Sequence, residues 1–227
     1  DGVSLVDYNR GGVPLLEIVS EPDINSPAEA YEYLTRLKSI IEYLDVSDCD
    51  MEKGSLRCDA NVSVRKKGVK EFGTKTEVKN MNSFKGVRDA LAYEIQRQIA
   101  VLSDGGTITQ ETRLWNVDTL ETVSMRTKEG AKDYRYFPEP DLPHFIITKE
   151  MISSIQSTIP CLPRERKASF IKDFGLSEYD AGVLVSSKKN ADYAERCIEI
   201  YAASNKKPMV NFIIGPLMSE ANARNLD

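Results

Sequence analysis

Apolar and polar positions alternate in two runs between Gly54 and Phe84, and a short loop around Gly68 separates the runs. The apolar positions of the first run are Leu56, Cys58, Ala60, Val62 and Val64, and the polar ones are Arg57, Asp59, Asn61, Ser63 and Arg65. In the second run, Phe72, Thr74, Thr76 and Val78 alternate with Lys75, Glu77 and Lys79. Because successive side chains of a strand point to opposite faces, the pattern predicts an antiparallel hairpin over residues 56–65 and 72–79, with one face on a core and the other open.

Apolar residues at helical spacing flank this hairpin on both sides. Before it, Ser26 is a good N-cap, Pro27 suits the first helical position and Glu29 can complete a capping box, so a helix is expected from Pro27 to about Leu44. After it, a helix is expected from near Ser83 to the glycines that follow Asp104. Its predicted buried stripe consists of Phe84, Val87, Leu91, Ile95, Ile99 and Leu102.

Shorter runs complete the predicted architecture. Residues 4–8 and 15–20 are strand candidates, and residues 110–115 and 121–127 form a second predicted hairpin. Together these elements predict an α+β fold, a largely antiparallel sheet with helices on one face. From about residue 149 the pattern changes to short helices, so we expect two domains, residues 1–159 and the beginning of an all-α domain at residues 160–227.

Composition narrows the classes of function. The 227 residues carry a formal charge of −5 and a sequence pI near 5.2, which argues against a basic domain that binds duplexes but leaves a local contact to RNA open. There is no apolar run of membrane-spanning length, so a membrane is not an expected partner, and the acidic charge makes DNA an unexpected one too. The four cysteines form no C-x-x-C pair and His144 is the one histidine, which makes a zinc site improbable and indicates reduced thiols.

The polar face of the central hairpin has two interpretations. It is either a plain solvated face or a ligand site, because it mixes Arg57, Asp59 and Asn61 with Glu77 and Lys79. Carboxylates can hold Mg²⁺, and arginine and lysine can hold phosphate oxygens. The next polar residues open the second helix, whose N-terminus favours an anion; these residues are Asn80, Asn82 and Ser83.

Two further segments carry candidate chemistry. Glu17 lies inside the apolar run at residues 15–20, where it is either a metal ligand or partner of an arginine, or a residue on the outside of a half-exposed strand. Residues 132–143 combine three prolines with Tyr134, Arg135 and Tyr136, which fits either a strap packed on the sheet edge or a wall that stacks on a base or ribose.

Five blocks in one order resemble the GatB/GatE family, the B-type subunits of tRNA-dependent amidotransferases. The blocks are DYNRGGVPLLEIVSEPD, MEKGSLRCDANVSVR, KTEVKNMNSF, QETRLW and DYRYFPEPDLP. The resemblance implies a cradle-shaped kinase-like domain followed by a helical domain. It also implies ATP and Mg²⁺ as cofactors, an amidase subunit and a small bridging subunit as partners in a heterotrimer, and misacylated tRNA as substrate.

The activity implied by the resemblance is a ligase reaction of protein biosynthesis. ATP phosphorylates the carboxyl group of Glu-tRNA(Gln) or Asp-tRNA(Asn), and ammonia from glutamine then displaces the phosphate to give Gln-tRNA or Asn-tRNA. The resemblance places Glu17 at the metal site and Arg57, Asp59 and Asn61 near the site and its ammonia channel. On this basis Arg57 and Lys79 are expected to hold phosphate, and Asp59 and Glu77 to serve as second metal-site or channel acids.

The sequence also departs from the family in extent. Asp1 is not methionine, and the opening segment, most of the helical domain and the tail of the family have no counterpart, so an internal fragment that is inactive by itself is expected. A non-catalytic scaffold or tRNA-docking module is the alternative function. The expected location is the cytoplasm or an organelle matrix.

Overall fold

A computed structural model describes residues 5–6, 8–9, 11–127, 140 and 142–224, and of residues 126 and 127 it describes only the backbone. Its strands are β1 (Ala60–Val62), β2 (Thr76–Lys79), β3 (Glu111–Asn116) and β4 (Glu121–Thr127). Its helices are α1 (Pro27–Tyr43), α2 (Phe84–Ser103), α3 (Lys149–Thr158), α4 (Pro163–Phe174), α5 (Glu178–Leu184), α6 (Lys188–Ile200), α7 (Lys207–Phe212) and α8 (Met218–Ala223), with a π-helical turn at Ile213–Leu217.

The strands form one sheet in the order β1-β2-β3-β4. The β1–β2 and β3–β4 pairs are antiparallel and the β2–β3 pair is parallel, with α2 as the crossover between its two strands. Helix α2 packs on one face of the sheet and α1 packs on α2. The predicted α+β class, with a largely antiparallel sheet and helices on one face, is therefore confirmed.

Local capping signals place the two long helices. Ser26 Oγ accepts a hydrogen bond from the Glu29 backbone N–H at 3.1 Å, and Ser83 Oγ accepts one from the Gly86 N–H at 3.0 Å. Helix α4 ends at Gly175, which adopts the left-handed conformation with φ +67°. The starts of the two long helices agree with the sequence prediction.

Each predicted strand of the central hairpin is longer than the observed one. The ladder pairs Ala60 with Val78 and Val62 with Thr76, and it does not extend toward the loop. Beyond it, a Cβ atom at Gly73 would lie 2.2 Å from the Val64 carbonyl oxygen, so the two segments approach closely there without ladder bonds. The predicted strands over residues 56–65 and 72–79 are therefore corrected to Ala60–Val62 and Thr76–Lys79.

The strand prediction over residues 15–20 is wrong. The segment has no strand assignment and its apolar side chains are exposed, including Leu15, Leu16 and Val19. A strand needs a neighbour for its backbone hydrogen bonds, and no described strand pairs with it. Of the other candidate strand, at 4–8, residues 4 and 7 lie outside the described part of the chain, and residues 5, 6 and 8 show no strand assignment.

The buried stripe of α2 also differs from the prediction. Val87 and Leu91 are buried as expected, but the next turns bury Glu94 and Gln98, while Ile99 and Leu102 are exposed. Polar partners from the sheet explain this: Thr122 donates to Glu94 at 2.8 Å, and Gln98 donates to the Val62 carbonyl at 3.2 Å. Hydrophobic spacing cannot reveal such partners.

Two hydrophobic cores are present in the described residues. The first joins α1 and α2 to the sheet through Val78, Val87 and Trp115. The second lies among α4 to α7 and the π-helical turn, around Phe170 and Leu184. The domain boundary between residues 159 and 160 stays a prediction. Among the described helices, none has the length and hydrophobicity of a membrane-spanning segment.

A buried tyrosine and an arginine connect these cores. Tyr43 at the end of α1 donates its hydroxyl to the Val185 carbonyl at 3.0 Å, and burial raises the pKa of Tyr43 to about 12. The Arg166 guanidinium lies 5.9 Å from the Tyr43 ring centre and forms ion pairs of 2.6 Å with both Asp192 and Glu195. The helical segment is thus fixed to the end of α1.

Candidate functional site

The hairpin register gathers the predicted polar residues on the face of the sheet opposite α2. Asn61 pairs with Glu77. Lys79 follows Glu77 by two residues, and Asp59 precedes Asn61 by two residues, directly before β1. Cys58, Ala60 and Val62 pack instead against the core beneath α2. Alternation therefore predicted the two faces of this hairpin correctly in its paired region.

Lys79 lies between two carboxylates on the open face. Its Nζ is 2.5 Å from Asp59 Oδ2 and 3.6 Å from Glu77 Oε1. The hydrogen bond with Asp59 is the main reason that the pKa of Lys79 is raised above its ordinary value. The ammonium group is therefore charged at neutral pH and is held at a fixed place on the sheet.

The remaining polar positions of the two strands stay open to solvent. Arg57 and Asn61 are both exposed, and Arg57 precedes the first residue of β1 by three positions. Neither takes part in the described ion pairs around Lys79. They are available for a ligand that approaches this face, which is what the sequence prediction requires of them.

Asn80 has a structural role that the sequence did not reveal. It adopts a left-handed backbone with φ 65°, directly after β2. Its side-chain Nδ2 donates to the Trp115 carbonyl at 3.1 Å, at the end of β3. This bond fixes the turn into α2, and the expected role of Asn80 in binding a ligand stays a prediction.

Asn82 and Ser83 lie at the N-terminus of α2, as predicted. Asn82 lines an open groove of about 410 Å³ between α1, the turn at residues 49–52 and the start of α2. The other residues lining this groove are Tyr31, Lys38, Cys49, Asp50, Met51, Glu52, Ser83, Phe84 and Lys85. Ser83 uses its hydroxyl oxygen for the helix cap, which leaves Asn82 as the freer polar side chain.

Replacing Ser83 with alanine is expected to lower the free energy of unfolding by about 1 kcal/mol, the usual value of an N-cap. Urea unfolding of the purified protein measures this change. Ser26→Ala removes an equivalent cap from α1 and is the matched control, so the two variants should lose similar stability. A Ser83→Ala variant as stable as the unsubstituted protein would contradict the capping role.

The structure does not bring Glu17 into this arrangement. Glu17 is exposed on the segment without strand assignment. Within the described ranges, no group of three or more His, Cys, Asp or Glu side chains is arranged to hold a metal ion. The role of Glu17 as a metal ligand stays a prediction.

A buried charge cluster on the opposite face of the sheet was missed by the sequence interpretation. The Glu94 side chain is fully buried and accepts hydrogen bonds from Arg97 at 2.6 and 2.8 Å, from Gln98 at 2.9 Å and from Thr122 at 2.8 Å. Arg113 Nε lies 3.5 Å from the same carboxylate. The only sequence signal was a polar residue at a helix position where the apolar spacing expects a buried one.

This cluster keeps Glu94 ionised despite its burial. Burial by itself would raise the pKa of Glu94, but the hydrogen bonds from Arg97, Gln98 and Thr122 outweigh it and lower the pKa below its ordinary value. The cluster thus connects α2 to β3 and β4 beneath the open face.

Thr112 is the other residue that sequence reasoning missed. It is fully buried on β3, and its hydroxyl donates to Glu77 Oε2 at 2.8 Å.

The predicted aromatic segment at residues 132–143 lies almost wholly outside the described residues, so neither of its two interpretations is tested.

Comparison with known proteins places the sheet and its polar face in a family. The family described as "GatB/GatE catalytic domain" matches residues 1–153. The chain is 58% identical over 220 residues to the B subunit of the aspartyl/glutamyl-tRNA(Asn/Gln) amidotransferase from Carboxydothermus hydrogenoformans, covering 97% of this chain and 45% of that protein. The protein of the same name from Moorella thermoacetica is 55% identical over 226 residues, covering 100% of this chain and 47% of its own length.

The chain spans about half the length of the curated relatives that it matches. The match nevertheless includes the hairpin with Asp59, Glu77 and Lys79, the crossover helix α2 and the β3–β4 hairpin, all of which lie between residues 1 and 153. The chain therefore belongs to the GatB/GatE catalytic-domain family.

Proposed function

We propose that this chain is the ATP-dependent activating part of the B subunit of a tRNA-dependent amidotransferase. It would phosphorylate the side-chain carboxyl group of glutamate or aspartate carried on tRNA(Gln) or tRNA(Asn), the tRNA substrates that appear in the names of its relatives. Ammonia would then convert the acyl phosphate to the amide, which makes the complex a carbon–nitrogen ligase.

The observation that carries this proposal is the fixed ammonium group of Lys79 on the open face of the sheet. Its 2.5 Å contact with Asp59 holds the cation at one position. Phosphoryl transfer requires little covalent chemistry from a protein and depends mainly on positioned positive charge near the phosphate oxygens. A charged, preorganised lysine supplies such charge, and Arg57, exposed two residues before Asp59, adds a second cation in this segment.

In the proposed reaction, an oxygen of the aminoacyl carboxylate forms a bond to the γ-phosphorus of ATP while the bond to the bridging oxygen breaks and ADP leaves. Lys79 and Arg57 contact the phosphate oxygens, and Asp59 orients Lys79. Ammonia then attacks the acyl carbon, inorganic phosphate leaves and the nitrogen loses a proton. Asn61 lies beside this position on β1, and Asn82 lines the groove three residues beyond Lys79, where we propose that the nucleotide enters.

The phosphoryl donor, the partner subunits and the substrate are proposed for the whole complex, and they do not depend on the contacts described above. We propose Mg-ATP as the phosphoryl donor and an amidase subunit as the source of ammonia. A small bridging subunit would hold the amidase to this protein, and misacylated tRNA is the substrate. The expected compartment is the cytoplasm or an organelle matrix.

The experiment is an assay of the full-length protein in its complex, with ammonium as nitrogen donor so that the amidase is bypassed. ADP release should require both Mg-ATP and misacylated tRNA. Hydroxylamine should trap the acyl phosphate as a hydroxamate on the tRNA-linked amino acid. Uncharged tRNA is the control, and the complex should release no ADP when it replaces misacylated tRNA.

Asp59→Asn separates an activating site from a scaffold. If the chain activates the carboxyl group, the variant should bind misacylated tRNA but form hydroxamate more slowly, because the neutral amide no longer fixes Lys79. A scaffold or docking module would lose neither ADP release nor hydroxamate formation. Unchanged rates in this variant would therefore reject the proposed function of the hairpin face.

A further inference from the structure

Thr112 lies beside the proposed site, but it belongs to β3, whereas Glu77 and Lys79 belong to β2. β2 and β3 are parallel, and Glu77 and Thr112 are register partners, so their side chains point to the same face of the sheet. Although that face is open at Asp59 and Asn61, Thr112 is fully buried. Its hydroxyl has one described partner, Glu77 Oε2, at 2.8 Å.

Because of this contact, the two oxygens of the Glu77 carboxylate have different neighbours. Oε2 accepts from Thr112, while Oε1 lies 3.6 Å from Lys79 Nζ, beyond an ordinary hydrogen bond. Lys79 is therefore bound closely by Asp59 and only loosely by Glu77. If the Glu77 carboxylate were free to turn, it could approach Lys79 and compete with an incoming phosphate for the ammonium protons.

Thr112 is itself held in place from the other side of the sheet. Its neighbour Arg113 donates to Glu111 at 2.6 Å and to the hydroxyl and carbonyl oxygens of Thr122 at 2.8 and 2.6 Å. The β3–β4 register shifts between Thr112 and Arg113, which marks a bulge at this position. Bulges change the direction of side chains and are frequent beside active sites.

We propose that Thr112 is a positioning residue of the phosphoryl-transfer site. Its hydroxyl would hold the Glu77 carboxylate in the orientation that leaves the Lys79 ammonium group available to phosphate oxygens. The proposal rests on the function proposed above for Lys79. It assigns Thr112 no contact with the substrate, so its effect should appear in the rate of the chemical step rather than in binding.

The test is Thr112→Val in the full-length protein within its complex, assayed with ammonium, Mg-ATP and misacylated tRNA. Valine keeps the branched shape and removes the hydroxyl. We expect kcat for ADP release to fall about tenfold, with the KM values for ATP and tRNA changed less than about twofold, because a hydrogen bond to a charged group of the site is lost. Thr112→Ser keeps a hydroxyl and should restore most of kcat.

Thr76→Val is the matched control. Thr76 is also fully buried, on the neighbouring strand, but its side chain faces the core, and its Oγ1 has no hydrogen-bond partner among the described atoms. The same chemical change there should leave kcat unaltered. If a buried valine in this sheet lowers kcat for a general structural reason, kcat should fall in both variants. A fall in Thr112→Val alone therefore reports on the positioning of Glu77.

Each outcome decides the proposal. Equal kcat values for Thr112→Val and Thr76→Val would overturn it, and so would a Thr112→Ser variant as slow as Thr112→Val, since packing would then be the cause. If Thr112→Val does not fold, Thr112→Ala replaces it in the comparison with serine. If the Thr112 variants overturn the positioning role but Lys79→Met is inactive, the proposed function still stands. An active Lys79→Met variant would reject the proposed function itself.

Discussion

Replacing Lys79 with methionine is expected to lower the rate of ADP release at least about 100-fold, the usual cost of removing one positioned group that stabilises transition-state charge. Methionine keeps an unbranched side chain of similar length but provides no charge. The Asp59 and Glu77 carboxylates would then face the incoming phosphate without a cation between them. Single-turnover measurement of ADP, with ammonium supplied, isolates this step from the release of ammonia.

Lys67→Met is the control for Lys79→Met. Lys67 is exposed in the loop of the same hairpin, two residues after Arg65, and lies outside the proposed site. Its substitution makes the same change in net charge, so ADP release should remain near that of the unsubstituted complex. Both variants should retain binding of misacylated tRNA and an ordinary urea-unfolding midpoint. A fully active Lys79→Met complex would show that the hairpin face has no part in phosphoryl transfer.

Glu94→Gln is expected to lower the free energy of unfolding by about 3 kcal/mol, as when one partner of a buried ion pair is removed. Glutamine has nearly the same shape, but one carboxylate oxygen becomes an NH₂ group. That group would face donors that now point at the carboxylate, namely Arg97, Gln98 and Thr122. Arg113 would also lose an opposite charge at 3.5 Å. Urea unfolding at pH 7 measures the loss.

The stability difference between Glu94→Gln and the unsubstituted protein should depend on pH. The folded protein holds the pKa of Glu94 below its ordinary value near 4.5, so the ionised carboxylate stabilises the fold above about pH 4.5. This contribution is lost as pH falls through the folded-state pKa, and the difference should shrink there. Glu32→Gln breaks an exposed pair with Arg36 and should change stability by less than about 1 kcal/mol at either pH.

Local sequence signals were sufficient for much of the fold. The caps at Ser26 and Ser83 and the helix end at Gly175 depend on nearby backbone groups, so they could be predicted from a few residues. The side-by-side arrangement of Asp59 and Lys79 followed from alternation within one hairpin. In each case the contacts join residues close in the sequence or across one turn.

Long-range pairing limited the remaining predictions. Burial of Glu94 depends on Thr122, 28 residues away, and the contact of Thr112 with Glu77 spans 35 residues. Neither partner can be identified from the periodicity of its own segment. The error at residues 15–20 has the same origin, because an apolar run becomes a strand only where another strand offers its hydrogen bonds.

The parallel pairing of β2 with β3 has a consequence for the order in which the protein gains its activity. An antiparallel hairpin can form locally, so the Lys79–Asp59 contact requires only β1, β2 and their loop. The Thr112–Glu77 contact requires a crossover that includes the 20 residues of α2. We therefore expect the ion pair to appear early during refolding and the oriented Glu77 to appear late, so that a nascent chain would form the Lys79–Asp59 pair before Thr112 could position Glu77.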